Sequence, residues 1–68
     1  MSELKGTYYY FKDLVDENSE DYGKIAIVKA DSDSGSWNEL SVRHKKQYGN
    51  PKQSMETMYE FLEKRQID

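Results

Sequence analysis

Polar and apolar positions divide the chain into four segments, separated by short clusters of glycine, asparagine and serine. The clusters are Gly6-Thr7, Asn18-Ser19, Gly35-Ser36 and Gly49-Asn50-Pro51, and they lie about twelve to seventeen residues apart. A helix of ordinary length plus a short connection fills such an interval. The spacing therefore predicts four helices, at about 8–17, 20–30, 37–48 and 51–66.

The third segment has the pattern of an amphipathic helix. Ser36 followed three residues later by Glu39 is typical of a capping box at a helix start, and Gly49 stands where the helix would end. One face of this helix would carry the large side chains, which follow one another at helical spacing. They are Trp37, Leu40, His44 and Tyr48.

The fourth segment has the start signals of another helix. Asn50 is a suitable cap, and Pro51 suits the first helical position. Glu60 and Lys64 would form a favourable pair four residues apart on the outer face. The apolar residues then recur at helical spacing, namely Met55, Met58, Tyr59 and Leu62, with Phe61 beside them.

Residues 7–30 are compatible with two structures. The stretches TYYYFKDLV and KIAIVKA have the aromatic and β-branched residues of strands, which favours an α+β fold with an N-terminal hairpin followed by two helices. The hairpin would need a connection of about nine or ten residues, whereas most take two to five. An isolated two-stranded sheet is also only marginally stable.

A helical structure of the same residues is the favoured prediction. Tyr8, Phe11 and Val15 fall on one helical stripe. The run Ser19-Glu20-Asp21 gives a second helix the negative start that complements its dipole. Gly23 argues against that second helix. Together the four segments predict an all-α domain.

Five features follow one another along almost the whole chain in a characteristic order. They are an aromatic opening (YYYF, 8–11), an acidic stretch with a small apolar pair (EDYGKIA), a Ser/Asp loop, a helix at about 37–48 and a last helix with an apolar stripe. This order resembles the YozE-type SAM-like family of small bacterial and phage proteins, over about residues 7–66. The chain departs from that family at Ser34-Gly35-Ser36-Trp37, where the family tends to have Phe-Pro.

The resemblance implies a compact four-helix domain similar to sterile alpha motif domains. That fold is used for contacts with proteins or with nucleic acids, and a shared fold does not fix a function. The resemblance names no catalytic residue and no cofactor.

Length and composition limit the classes of function. A chain of 68 residues forms one domain, residues 1–68, with a thin core and no room for a deep active site. It has no cysteine and a single histidine, His44, which excludes a disulfide framework and a Cys/His zinc site. The N-terminus lacks a signal-peptide pattern, and no apolar run is long enough to span a membrane. We expect a cytoplasmic protein with no cofactor and no small-molecule substrate.

The stretch DSDSGSWNEL, residues 31–40, begins like a calcium-binding loop. Asp31 and Asp33 alternate as calcium ligands do, but glycine, serine and valine stand where an EF-hand needs an oxygen ligand, a glycine and a bidentate glutamate. A solvated turn before a helix is the simpler interpretation. No nucleophile with an orienting acid can be assigned to His44 either, so an enzyme is not expected.

Charge is distributed unevenly along the chain. Residues 1–42 hold nine acidic and four basic side chains, whereas residues 43–54 hold four basic and no acidic ones, within a net charge of −3. The basic segment spans a predicted helix end, a tight turn and a helix start, as in a helix-turn-helix motif, where cations hold phosphates and the second helix approaches base edges. The candidate binding patch is Arg43, Lys45, Lys46, Tyr48, Lys52, Gln53 and Ser54.

Two classes of partner fit this charge pattern. Basic residues are expected at a helix C-terminus in any case, and the overall negative charge opposes a polyanion. The leading hypothesis is a non-enzymatic helical interaction module that contacts a protein partner or a second copy of itself, head to tail. The alternative is nucleic-acid binding through residues 43–54, and the remote alternative is a calcium-responsive loop at 31–39.

Overall fold

The fold was taken from a computed structural model, which describes residues 5–67. The described chain contains three strands, one long helix and one single-turn helix. In order they are β1 (Gly6–Asp13), β2 (Ile25–Lys29), α1 (Asp33–Tyr48), α2 (Met55–Met58) and β3 (Tyr59–Ile67). The prediction of an all-α four-helix domain is therefore wrong, and the fold is α+β.

Strand β1 replaces the helix predicted over 8–17. Its odd-numbered residues Tyr9, Phe11 and Asp13 are buried, while the residues between them are only partly covered. This period of two is that of a strand with one face on the core. The stripe that suggested a helix joined Tyr8 and Phe11, which lie on opposite faces of β1, to Val15, which follows the strand.

Strand β2 and a long turn replace the helix predicted over 20–30. Residues 14–24 form a series of hydrogen-bonded turns, and Gly23 has φ +84°, a backbone conformation that glycine adopts without strain. Strand β2 then pairs antiparallel with β1. The alternative hairpin prediction is right about this pairing, and its long connection is stabilised by internal turns.

Helix α1 confirms the third predicted helix and begins four residues earlier. Its N-cap is Ser32, whose Oγ accepts a hydrogen bond from the Gly35 amide at 3.1 Å. Ser36, predicted as the cap, lies inside the helix and donates its hydroxyl to the Asp33 carbonyl at 2.6 Å. The helix ends at Gly49, as predicted. The predicted capping box is wrong, because Ser32 caps the helix before the Ser36–Glu39 pair is reached.

The fourth predicted helix is present only as the single turn α2. The cap position is held by Ser54 instead of Asn50, and the backbone becomes extended at Tyr59. Strand β3 then pairs antiparallel with β1, with a register shift opposite Tyr10 and Phe11 that leaves Leu62 as an extra residue. The helix predicted over 51–66 is wrong, because pairing with β1 overrides the local helical pattern.

The three strands form one antiparallel sheet in the order β2-β1-β3. Helix α1 packs on one face of this sheet, and the core lies between them. Within residues 5–67, no helix has the length and the apolarity that crossing a bilayer requires. The buried hydrophobic residues are Tyr9, Phe11, Val28, Leu40, Met58 and Tyr59.

Candidate interaction surface

Strand β3 lies at one edge of the sheet, and β1 is its only neighbour among the described strands. It is nine residues long, and all of its residues after Tyr59 are exposed. An edge strand of this kind presents a row of backbone N–H and C=O groups to solvent. The edge of β3 is therefore the longest stretch of backbone in the described sheet that is open to a partner.

The hydrogen bonds of β1 show which residues of β3 face this open edge. Thr7 and Asp13 accept backbone hydrogen bonds from the β2 side, and the Leu14 amide donates to the Met58 carbonyl on the β3 side. Odd-numbered residues of β1 thus point their backbone groups toward β2 and even-numbered ones toward β3. The residues of β3 that pair with odd-numbered ones face the open edge, and they are Tyr59, Phe61, Lys64 and Gln66.

Apolar side chains line this strand although no element covers them. Phe61 lies on the helix side of the sheet, with its ring 5.7 Å from that of Phe11 and 6.4 Å from that of Tyr9. It is nevertheless 48% exposed, since α1 packs mainly against β2 at the other edge of the sheet. Leu62 and Ile67 are 40% and 45% exposed. The edge thus joins unpaired backbone to an apolar surface.

On the opposite face of the sheet, residues 5–67 place no helix. The centre of this face is formed by Tyr8, Tyr10 and Lys12 of β1. The Arg65 guanidinium lies 5.4 Å from the centre of the Tyr10 ring, and its Nε lies 3.1 Å from Glu63 Oε1. The flanking residues on this face are Ile25, Ile27 and Lys29 of β2 and Glu60, Glu63 and Arg65 of β3.

The predicted binding patch is only partly assembled. Its six residues other than Tyr48 are exposed, at the end of α1 and in the loop that follows. The expected second helix does not begin there, since Lys52 to Ser54 precede the single turn α2. The helix-turn-helix arrangement is therefore wrong. The exposed residues are Arg43, Lys45, Lys46, Lys52, Gln53 and Ser54.

Tyr48 belongs to a buried polar cluster and is not an exposed anchor. Its hydroxyl donates to Asp13 Oδ2 at 2.8 Å, and Asp13 Oδ1 accepts the Val15 amide at 2.9 Å. Asp13 is only 6% exposed. Burial, together with the nearby Asp13 carboxylate, raises the pKa of Tyr48. This aromatic residue of the predicted binding patch thus holds helix α1 to the end of β1.

His44 is buried beside this cluster. This agrees with its place on the helical face that carries Trp37 and Leu40. His44 is 2% exposed, and its Nδ1 is hydrogen-bonded to the Tyr59 hydroxyl at 3.1 Å. Burial, with the charge of Asp13 nearby, raises the pKa of Tyr59 to about 12. Every buried side-chain N or O atom of the described residues has a partner. The hydrogen bonds of this cluster therefore pair the polar groups that the core buries.

Two clefts of the described surface lie beside helix α1. The cleft between α1 and β2 measures about 230 Å³, below the roughly 300–1,000 Å³ of ligand pockets. The hollow at Asp31 and Glu39 measures about 450 Å³ and is also lined by the cation Lys29. No group of three or more Asp, Glu, His or Cys side chains in residues 5–67 is arranged as metal ligands would be.

Sequence patterns missed the edge of β3 for a specific reason. The extra residue Leu62 breaks the alternation of faces, so that Met58 and Leu62 are spaced as on a helix. The open face did leave a signal in Tyr8, Tyr10 and Lys12, which alternate with the buried residues of β1. A strand assignment for β1 would have predicted that face.

No family model, no curated protein and no solved structure matches this chain. The resemblance to the YozE-type family therefore stays a prediction, whereas the four-helix fold that it implied is wrong. What the chain does must be inferred from its own surfaces.

Proposed function

We propose that this chain is a non-enzymatic interaction domain that binds an extended protein segment along the edge of β3. The observation that carries the proposal is the nine-residue edge strand with exposed Phe61, Leu62 and Ile67. In strand addition, the partner's backbone pairs with a free sheet edge, and side-chain contacts give selectivity. Both parts of such a site are present on β3.

The apolar surface at this edge supports the proposal that β3 binds a partner, instead of being a free edge that is only exposed to solvent. Sheet proteins protect free edges with short strands, charges, prolines or bulges. β3 has a bulge at Leu62 and charges at Lys64 and Arg65, yet it is long and leaves Phe61 half-exposed. A small domain also buries only about 60% of its unfolded surface, so a partner that covers the edge would add to its stability.

Blocking the outward-facing backbone of β3 tests the proposal. We expect peptides enriched from a random peptide library on the purified chain to bind Lys64→Pro at least about tenfold more weakly. The Lys64 amide points to the open edge, so proline removes a donor to the partner and leaves the β1 pairing intact. Fluorescence anisotropy with the labelled peptides measures both affinities.

Lys64→Ala is the matched control, because it removes the same side chain and keeps the amide. Gln66→Pro repeats the test at the next outward-facing residue if Lys64→Pro unfolds, which far-UV circular dichroism would show. Peptides that bind the wild type and both proline variants equally would overturn the proposal. So would a library from which no peptide is enriched at protein concentrations where the chain is monomeric.

Nucleic-acid binding through residues 43–54 is the second candidate function. The observation that favours it is the exposure of Arg43, Lys45, Lys46 and Lys52 in a stretch without an acidic residue. Cations of this kind neutralise phosphates, and counterion release makes such binding strongly dependent on salt. The contact would be to the backbone of the nucleic acid, because no recognition helix follows the turn.

Anisotropy with short duplex and single-stranded DNA tests this second candidate. If the four cations bind phosphates, affinity should fall about tenfold or more between 50 and 200 mM salt. The variant Lys45→Glu/Lys46→Glu should lose binding, whereas Lys64→Pro should retain it. An absence of binding at 50 mM salt would remove this candidate and leave the proposal for β3 unaffected.

A further inference from the structure

We infer that the segment bound by β3 is β3 of a second copy of this chain, paired antiparallel about a two-fold axis between Leu62 and Glu63. The inference rests on the proposed function and names its partner. The two sheets would join into one of six strands. Four observations on β3 support this pairing: its outward-facing backbone groups, the faces of its side chains, the order of its charges and its exposed apolar residues.

The backbone groups of β3 meet one another correctly in this register. Phe61 pairs with Lys64 of the second copy, and Tyr59 pairs with Gln66 of the second copy. All four residues direct their N–H and C=O groups to the open edge. Residues that face each other across an antiparallel ladder can then exchange hydrogen bonds, as strand pairing requires.

In this register the bulge also places opposed side chains on the same face of the sheet. Opposed residues in an antiparallel pair must lie on the same face of the sheet. Before the bulge, Glu60 lies on the open face and Phe61 on the helix face. After it, Lys64 lies on the helix face and Arg65 on the open face. Without the extra residue Leu62, the partners in this register would point to opposite faces.

The charges of β3 are complementary to themselves in this arrangement. The strand carries Glu60 in its first half, Glu63 at its centre, where it is ion-paired with Arg65 of the same strand, and Lys64 and Arg65 in its second half. Antiparallel pairing about the axis places Glu60 opposite Arg65 of the second copy, twice by symmetry. Opposite charges in directly opposed positions stabilise a sheet, and like charges destabilise it. A two-fold interface needs a self-complementary strand, and β3 has this property.

Apolar side chains lie where this interface would be centred. Leu62 is next to the two-fold axis and stands opposite Glu63 of the second copy, so the Leu62 side chains of the two copies lie diagonally across the axis. Phe61 stands one residue away, half-exposed on the helix face. Apolar residues at the centre of an interface with charged pairs toward its rim are typical of stable protein contacts. The arrangement would cover side chains that the single chain leaves in water.

Reversing the charge pair tests this register. We expect the wild-type chain to be a dimer in analytical ultracentrifugation, and we expect Glu60→Arg and Arg65→Glu each to raise the dimer dissociation constant at least about tenfold. Each single change places like charges opposite one another at both ends of the interface. The double variant Glu60→Arg/Arg65→Glu should restore the wild-type constant to within about threefold, because the pair is then opposite in sign again.

Glu56→Arg serves as the matched control, because it reverses the charge of an exposed residue outside β3. Hydrogen exchange of the Phe61 and Lys64 amides is a second measurement, and their protection should rise with protein concentration. A chain that is monomeric at all concentrations overturns this inference, as does a dimer that the single charge reversals leave unchanged. Loss of peptide binding in Lys64→Pro would still support the proposed function in either case, so the two failures are distinguishable.

Discussion

Phe11→Ala should lower the free energy of unfolding by about 3–5 kcal/mol. The side chain is 0% exposed at the centre of the sheet, and its ring lies 4.7 Å from Trp37 and 5.7 Å from Phe61. Removing a buried phenylalanine typically costs about 3–5 kcal/mol. The total stability expected of 68 residues is only about 3–10 kcal/mol. Urea denaturation followed by far-UV circular dichroism would measure the loss.

Phe61→Ala is the control for this prediction, because its ring packs on Phe11 but is 48% exposed. We expect it to lower the free energy of unfolding by about 1–2 kcal/mol, less than half of the effect at Phe11. Equal losses at the two positions would mean that Phe61 is as buried as Phe11 in solution. If the chain forms the dimer inferred above, Phe61 would be covered only at concentrations where the dimer is present. Equal losses at the two positions would then be expected only at those concentrations.

Asp13→Ala should have the second largest effect, about 3 kcal/mol of unfolding free energy. The carboxylate accepts hydrogen bonds from the Tyr48 hydroxyl and the Val15 amide, at 2.8 and 2.9 Å. Hydrogen bonds to a charged group contribute about 1.5–3 kcal/mol each, and removing the acceptor leaves two donors without a partner. The same urea denaturation measures the change.

A double-mutant cycle with Tyr48→Phe separates the two hydrogen bonds of Asp13. Tyr48→Phe removes only the hydroxyl and should cost about 1–2 kcal/mol. If the hydroxyl acts through Asp13, adding Tyr48→Phe to Asp13→Ala should cost almost nothing more. Fully additive losses would show that the Tyr48 hydroxyl stabilises the fold without Asp13. Asp16→Ala is a suitable control, since Asp16 is an exposed residue of the same connection.

The helix of this fold could be predicted from sequence because its signals are local. Trp37, Leu40, His44 and Tyr48 recur at helical spacing, and three of them contact the core or its edge as that spacing requires. Gly49 ends the helix at φ +89°, where a side chain would be strained. Only the start of the helix was misplaced, because serine is a favoured N-cap residue and both Ser32 and Ser36 could serve as the cap.

The strands could not be predicted with the same ease, because each depends on residues far along the chain. Tyr9 pairs with Val28 on one side and with Lys64 on the other. The spacing of neighbouring apolar residues does not indicate such long-range pairing. In β3, moreover, the bulge at Leu62 gives the apolar residues a helix-like order. The hairpin alternative was nearer to the structure because it weighed strand composition over spacing.

The basic residues of 43–54 were found from sequence because charge is visible without a fold. Their exposure agrees with that prediction, whereas Tyr48 was misjudged because its hydrogen bond to Asp13 spans 35 positions. The open edge of β3 had no such signal. Which backbone groups lack a partner is a property of the sheet, and it appears only when the order of the strands is known.

The other edge of the sheet, strand β2, bears on the number of copies that could associate. Strand β2 has only five residues, and Lys24 and Lys29 stand at its two ends. A second strand placed there would meet these two cations, which is a common protection against unwanted pairing. Copies that join through one border and repel at the other form a closed pair. If copies of the chain pair through β3, the difference between the two borders would limit growth to two chains and oppose fibre formation.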